Sequence, residues 1–369
     1  ESHISTWHYS LNGLLQGFDD AKGVEHRRSV DAQGRVTEVR AGDLTSRYRY
    51  DALSRLTHID VRNADNAPTL STLLTYDNMG REHTRTLVAT AQNSESEEVT
   101  RTLKQSLGYS AFDQITSRYW NDGERQGEET FAYDHRKRLV HYTADADIAP
   151  NDPFGNPVVE QRFSYNAFNG HDRVMTRFAD GSSNETSFTY AETDPTRLIS
   201  VTHSHPAWPS EVTLTYDACG RVISDSLGRS MSWNAQGRLT KVTQQHRACE
   251  YAYTASGHLT DRVLDGVLKR SFFSGQDLTH EQTGDDSLQF CTGEQGVFAI
   301  NSVTDGIRQT TLLGSDAQGS VRLEADTTVR TRGYSAYGAE VENTEHSQIG
   351  FAGQRTEPLT GWQILGDYR

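Results

Sequence analysis

A handful of residues in this chain of 369 could do chemistry, and each has a plain structural reading beside the chemical one. His203-x-His205 on a strand would turn both imidazoles to one side and offer two metal ligands. With Pro206, Trp208 and Pro209 next to it, the stretch reads as a loop. Asp152-Pro153 and Asp194-Pro195 have protease-like wording, but Asp-Pro is routine turn chemistry. Ser, His and Asp are abundant, yet no Gly-x-Ser-x-Gly elbow marks a nucleophile and no glycine-rich phosphate loop precedes a helix pattern. Asp285-Asp286 and Glu97-Glu98 are adjacent carboxylates, not opposed ones, and read as solvated loops. Cys219, Cys249 and Cys291 are odd in number and lack metal spacing, which argues against a disulfide framework and for a reduced compartment during folding. The rings of Tyr216, Trp233 and Tyr253 could stack on sugars, although cross-strand packing explains them first. These residues name no catalytic, cofactor or metal site.

The elements that carry them repeat one phrase. Tyr216-Asp217-Ala218-Cys219-Gly220-Arg221-Val222 is followed by Trp233-Asn234-Ala235-Gln236-Gly237-Arg238-Leu239 and Tyr253-Thr254-Ala255-Ser256-Gly257-His258-Leu259. The rule is an aromatic, a short polar residue, Ala, a free position, Gly, a basic residue and an aliphatic. Val212, Leu214 and Tyr216 alternate with Thr213 and Thr215, the period of an extended strand. Asp217 or Asn234 can accept a backbone N–H about two residues on, and Gly220, Gly237 and Gly257 supply the positive φ that closes the turn. Each copy therefore reads as a β-hairpin, whose Arg or His starts the outgoing strand with its stem across neighbouring rows.

Further clear copies are Val30 to Val36, Tyr50-Asp51 to Leu56, Tyr76-Asp77-Asn78-Met79-Gly80-Arg81 and Tyr133-Asp134 to Leu139. Worn copies begin at Tyr109, Tyr165, Tyr190 and Phe273, with later ones at Ser315 and Tyr334. From 216 to 233 to 253 to 273 the spacing is 17, 20 and 20 residues, the length of one hairpin per repeat.

Composition sets the limits. The net charge of −14 disfavours nucleic acid or an anionic membrane as main partner and permits a basic one. Among 36 basic residues only Lys22, Lys104, Lys137, Lys241 and Lys269 are lysine, so Arg dominates, as suits pairing with carboxylates and aromatic faces. Only 34% of residues are apolar, but 16 Tyr, 13 Phe and 5 Trp sit at fixed places, which argues against disorder. So long a twisted sheet must curl, split or close. With few residues to fill a centre, the expectation is an all-β repeat array of antiparallel hairpins, curled or spiral around a wet space. No apolar run reaches the length of a membrane span. Loops are expected near 63–68, 91–101, 145–157 and 203–209, and the ending at Gly366-Asp367-Tyr368-Arg369 reads as a strand cut from a longer protein.

The tail adds a resemblance. Leu312-Leu313-Gly314-Ser315-Asp316-Ala317-Gln318-Gly319-Ser320-Val321-Arg322, Tyr334-Ser335-Ala336-Tyr337-Gly338, Ile349-Gly350-Phe351-Ala352-Gly353-Gln354 and Pro358-Leu359-Thr360-Gly361-Trp362 resemble the start of the core of the Rhs/YD-repeat family. The wording from Gly361 to Arg369 is similar to that of the C subunits of bacterial ABC-type (Tc) insecticidal toxin complexes. This divides the chain into a repeat array, 1–311, and the beginning of that core, 312–369. The resemblance implies a hollow β-cocoon shell that encloses a C-terminal toxin polypeptide, closed together with a companion repeat-shell subunit or domain. It also implies synthesis in the bacterial cytoplasm followed by secretion or delivery to a target cell. In the family the core continues into a segment with proteolytic aspartates, which lies beyond Arg369. The readings that follow are a structural shell and not an enzyme, a carbohydrate- or cell-surface-binding module, and part of an aspartyl autoprotease whose catalytic segment is missing here.

Overall fold

The alternation in the sequence is what the backbone obeys. In Glu211–Tyr216 the apolar Val212, Leu214 and Tyr216 are half-buried and the residues between them exposed. The computed structural model describes residues 4–64, 68–92, 95, 97–338 and 346–364. Parts of the expected loops at 63–68 and 91–101, and the expected terminal strand at 366–369, lie outside the described residues.

Strands follow one another almost without interruption. They are β1 (Thr6–Tyr9), β2 (Leu15–Asp19), β3 (Glu25–Val30), β4 (Val36–Ala41), β5 (Leu44–Tyr50), β6 (Leu56–Arg62), β7 (Thr69–Tyr76), β8 (Glu82–Gln92), β9 (Glu98–Tyr109) and β10 (Ile115–Asn121). Next come β11 (Gln126–Tyr133), β12 (Leu139–Ala144), β13 (Val158–Tyr165), β14 (His171–Phe178), β15 (Ser183–Ala191), β16 (Asp194–His203), β17 (Glu211–Tyr216), β18 (Val222–Asp225), β19 (Arg229–Trp233) and β20 (Leu239–Gln244). The series ends with β21 (Arg247–Tyr253), β22 (Leu259–Leu264), β23 (Val267–Ser274), β24 (Asp277–Thr283), β25 (Asp286–Gly293), β26 (Gly296–Thr304), β27 (Ile307–Ser315), β28 (Val321–Ala325) and β29 (Val329–Thr331). Each pairs antiparallel with the next, giving, among the described residues, one 29-stranded sheet that is open, not a barrel. A separate small pair, Arg355–Thr356 and Gln363–Ile364, lies in the tail. No helix of the described residues is long and apolar enough to cross a membrane.

One irregularity recurs. Pairing register shifts at the residue just before the repeat aromatic, at Arg49/Tyr50, Thr75/Tyr76, Ala132/Tyr133, Thr215/Tyr216, Ser232/Trp233 and Ala252/Tyr253. An extra residue on one strand bends it and raises the local twist. Because the shifts fall on the same edge of the strip in hairpin after hairpin, their bends add and the strip curls.

The curl brings its ends together. β27 lies on β7, β28 on β8 and β25 on β4. Leu44, Leu70 and Leu87 from the early strands share one buried cluster with Phe298, Leu312 and Leu323 from the late ones. The low apolar fraction did not lead us to expect this filled overlap. Its apolar residues are concentrated there and in three smaller clusters, not spread along the strip. The sheet runs through the sequence boundary between 311 and 312, which falls inside β27. After β29 the chain crosses the strip's face, and Leu359, Trp362 and Ile364 pack against Met231, Val242 and Tyr251.

At the first contact of the overlap, the buried Asp20 accepts from His26 at 2.8 Å and faces His280 of β24 at 3.4 Å. Burial pushes the His280 imidazole down to about 4, against the pull of Asp20, with His26 and Lys22 adding to the depression. The unfolded chain therefore binds more protons than the folded one between the ordinary histidine value near 6.5 and about 4. The stability this group confers is whole above that window and is lost as pH falls through it, on the order of 3 kcal/mol. Urea denaturation at pH 7.5 and pH 5 should show a loss that His280→Gln abolishes. An equal loss in the variant would show that the window belongs to another group.

Candidate functional site

The repeat phrase folds into one connected unit. Between β7 and β8, the Asp77 N–H donates to the Arg81 carbonyl (2.9 Å) and the Gly80 N–H to the Asp77 carbonyl (3.0 Å). Asp77 Oδ1 accepts the N–H groups of Met79 (2.8 Å) and Arg81 (3.0 Å), while Oδ2 accepts from Arg81 Nε at 2.8 Å. One carboxylate thus closes the turn with one oxygen and orients the outgoing Arg with the other. Asp51, Asp134 and Asp217 repeat the arrangement with Arg55, Arg138 and Arg221. The N–H groups and then the guanidiniums of Arg55 and Arg221 hold the carboxyls of Asp51 and Asp217 below the ordinary range. Asn234 keeps the turn, accepting from Gln236 and Arg238 at 3.0 Å each, but offers no charge. The Thr254 hydroxyl plays that part for Gly257 and His258.

Each Arg, once oriented, reaches the next repeat. Arg35 lies over the Tyr50 ring (4.8 Å), Arg55 over Tyr76 (4.6 Å), Arg81 over Tyr109 (4.5 Å), Arg138 over Tyr165 (4.3 Å) and Arg238 over Tyr253 (5.6 Å). The aromatic answers in the other direction. Tyr50 donates to the Val36 carbonyl (2.8 Å), Tyr76 to Leu56 (2.6 Å), Tyr133 to Ile115 (2.9 Å) and Tyr253 to Leu239 (2.7 Å). Tyr216 donates to the Leu198 carbonyl, and the Trp233 indole to that of Val222 at 2.7 Å. Arg221 also donates to the Asn234 carbonyl and Arg238 to that of Thr254. The strand-ending aromatics are thus joined to their neighbours, with their polar atoms engaged, which leaves the carbohydrate reading without support at Tyr216, Trp233 and Tyr253.

The turn demands positive φ at its glycine position, and Gly80 (83°), Gly220 (79°) and Gly237 (77°) provide it. At Gly257 (110°) a Cβ would also meet the Arg238 guanidinium at 2.7 Å. Four copies put other residues there, Ser54 at 62°, Asp113 at 61°, Lys137 at 64° and Asn169 at 67°.

The remaining sequence candidates disperse. His203 takes Asn184 and Thr186 as neighbours, whereas His205 accepts the Ala207 N–H and meets Phe178 edge-on. Asp152 and Asp194 close turns, accepting from Phe154 and Asn156 and from Thr196. Cys219 is exposed, and Cys249 and Cys291 are buried, where burial pushes both thiols up, Cys249 to about 11. Among the described residues no group of three or more His, Cys, Asp or Glu is placed to hold a metal.

Buried glutamates escaped the sequence reading, Glu129, Glu281 and Glu324 among them. Glu129 accepts from Arg118 (2.6 Å), Trp120 Nε1 (2.6 Å) and Tyr142 (2.8 Å). Glu281 accepts from Arg262 (2.5 Å), Arg355 (2.6 Å) and Gln348 (2.9 Å). Glu324 accepts from Arg332 (3.2 Å), His346 (3.0 Å) and Ser347 (2.7 Å). Burial alone would raise the Glu281 carboxyl, but Arg262 and Arg355 hold it below the ordinary range. Glu281 and Glu324 therefore fasten the tail to the sheet. The available signal was a charge on an inward position: Gly127, Glu129, Phe131 and Tyr133 share one face of β11.

A non-glycine residue in the left-handed region costs roughly 1–2 kcal/mol. Lys137→Gly and Ser54→Gly should raise the urea midpoint by an amount worth up to about 1 kcal/mol, and Gly80→Ala should lower it by about as much. A stabilising Gly80→Ala would show that the turn does not need its left-handed residue.

Residues 30–65 match the family model described as RHS Repeat. No curated protein matches the chain. Among solved structures it is similar to the TcdB2-TccC3-Cdc42 crystal structure, at 13% identity and a TM-score of 0.48, over 98% of this chain and 26% of that one. TcdB2-TccC3 without its hypervariable C-terminal region gives 13% identity and a TM-score of 0.49, over 98% and 26%. The Photorhabdus luminescens Tc holotoxin pore gives 11% identity and a TM-score of 0.45, over 100% and 28%. The chain thus spans about a quarter of the length of the solved chains it matches. The matched residues 30–65 hold the copies at Val30 and Tyr50, and the same stitched hairpin recurs from β3 to β28.

Proposed function

We propose that this chain is a wall segment of an Rhs-repeat toxin shell that encloses a C-terminal toxin polypeptide until delivery. The observation that carries the reading is the single 29-stranded sheet, curled until its ends overlap. A strip of this kind makes a wall. Its repeat-defining side chains are spent on one another, and the buried Glu129, Glu281 and Glu324 are matched by Arg, so the residues that recur serve construction and not a reaction.

The shell is made in the bacterial cytoplasm, closes with a companion repeat-shell subunit or domain, and is then secreted or delivered to a target cell. The net charge of −14 suits a basic cargo. Division at 311/312 into a repeat array and the start of a core remains part of the proposal.

Limited proteolysis of the natural full-length protein tests this. Under native conditions trypsin should leave the C-terminal polypeptide intact, while the same polypeptide expressed alone is cut within minutes. Equal digestion of the two would contradict enclosure.

A further inference from the structure

The array is least regular at one place, where two insertions and the tail converge. Of the insertion between β12 and β13, Asp152 Oδ2 accepts from Trp208 Nε1 at 3.1 Å, and Phe154 meets the Trp208 ring edge-on at 4.8 Å. Trp208 belongs to the insertion between β16 and β17 and stacks on His203 at 4.7 Å. From the other side Tyr337 of the tail lies edge-on to Phe163 (5.3 Å) and His171 (5.6 Å), with its hydroxyl 3.1 Å from that of Tyr165. Between these lies a cavity of about 340 Å³ over the face of β13–β16. That is the size class of small-ligand sites.

Phe163, Val174, Phe178, Phe188 and Val201 give the wall its apolar and aromatic part, while its polar Asn184, Thr186 and His203 are bonded to one another. Two polar atoms of the wall, Gln161 Oε1 and His171 Nδ1, are buried without a hydrogen-bond partner among the described residues. Gln161 Nε2 is committed to Thr176 Oγ1 at 3.2 Å, which leaves the amide oxygen as an acceptor in want of a donor. Burial holds the His171 imidazole below its ordinary value, so the ring is neutral and adds no charge. A buried unmet acceptor costs free energy that a ligand donor would recover. An aromatic slot with such an acceptor suits a flat apolar body bearing one O–H or N–H, and disfavours a sugar with many hydroxyls.

We propose that this cavity binds a phenol or indole ring, seated among Phe163, Phe188 and Tyr337 with its O–H or N–H donated to Gln161 Oε1. The ring can arrive as a free small aromatic or as the Tyr or Trp side chain of a polypeptide. The inference does not depend on the shell reading.

Calorimetric titration of the full chain with p-cresol and indole, set against toluene and glucose, tests it. Saturable binding of p-cresol and indole is expected, with toluene about tenfold weaker for want of a donor and glucose silent. Gln161→Leu should remove that tenfold preference while toluene binding persists, which also shows that the variant is folded. Val174→Phe, which fills the cavity, should abolish binding of both rings. No saturable binding, equal affinity for toluene and p-cresol, binding that survives Val174→Phe, or glucose in competition would each overturn the proposal. N-acetyl-tyrosinamide tighter than p-cresol assigns the site to polypeptide side chains, and weaker assigns it to free rings. Either result supports the site.

Discussion

The structure rests on how one carboxylate divides its two oxygens. In the turn Asp, Oδ1 accepts two backbone N–H groups and Oδ2 accepts the Arg four residues on, as at Asp77 and Arg81. The first task fixes chain reversal, and the second aims a cation at the neighbouring repeat. Each contact alone is small: an exposed ion pair is worth about 0–1 kcal/mol and an exposed cation–π contact roughly 0.5–1. Repeated in series they register these hairpins against their neighbours. Asn234 lacks the charge. Its turn persists, and Arg238 still reaches Thr254, but the ring distance to Tyr253 is 5.6 Å, longer than the 4.3–4.8 Å of Arg35, Arg55, Arg81 and Arg138. Yet Arg197, which pairs with Asp194, stands as far from the Tyr216 ring, at 5.6 Å.

Stitching between neighbours does not explain why the two ends meet. That needs contacts between residues far apart in the chain, and here the chain spends its scarce apolar residues. Leu87 of β8 and Leu312 of β27 lie in the same buried cluster. The bulges before each repeat aromatic supply the curvature, and the cluster fixes where the curl stops. The tail then locks across the face through Glu281 and Glu324, whose Arg partners come from both the sheet and the tail. Loss of one partner from such a buried pair leaves an unmatched charge, so these two glutamates hold the tail more firmly than any surface pair could.

Much of this was legible in the residues. The hairpin, its turn acid, its glycine and the Arg lying across neighbouring rows all follow from the phrase Tyr-Asp-x-x-Gly-Arg, because local geometry decides them. The register shift at Tyr76 was not legible, since alternation continues unbroken into the aromatic and only pairing reveals the extra residue. Nor was the meeting of β8 with β28, which no periodicity encodes. Glu129 and Glu324 stand outside the repeated phrase, and it is the fold that turns them inward. Trp208 was read as part of a loop, and the partner that makes it a wall, Asp152, stands 56 residues away.

The central claim is that repeats are coupled through the shared Arg. Asp77 and Tyr109 make no hydrogen bond to each other, but Arg81 joins them, 2.8 Å from the carboxylate and 4.5 Å from the ring. A double-mutant cycle with Asp77→Ala and Tyr109→Leu, read by urea denaturation, measures that link directly. The account predicts that the double variant loses less than the sum of the singles, by at least about 0.5 kcal/mol. Strict additivity would contradict it and leave the hairpins as independent neighbours.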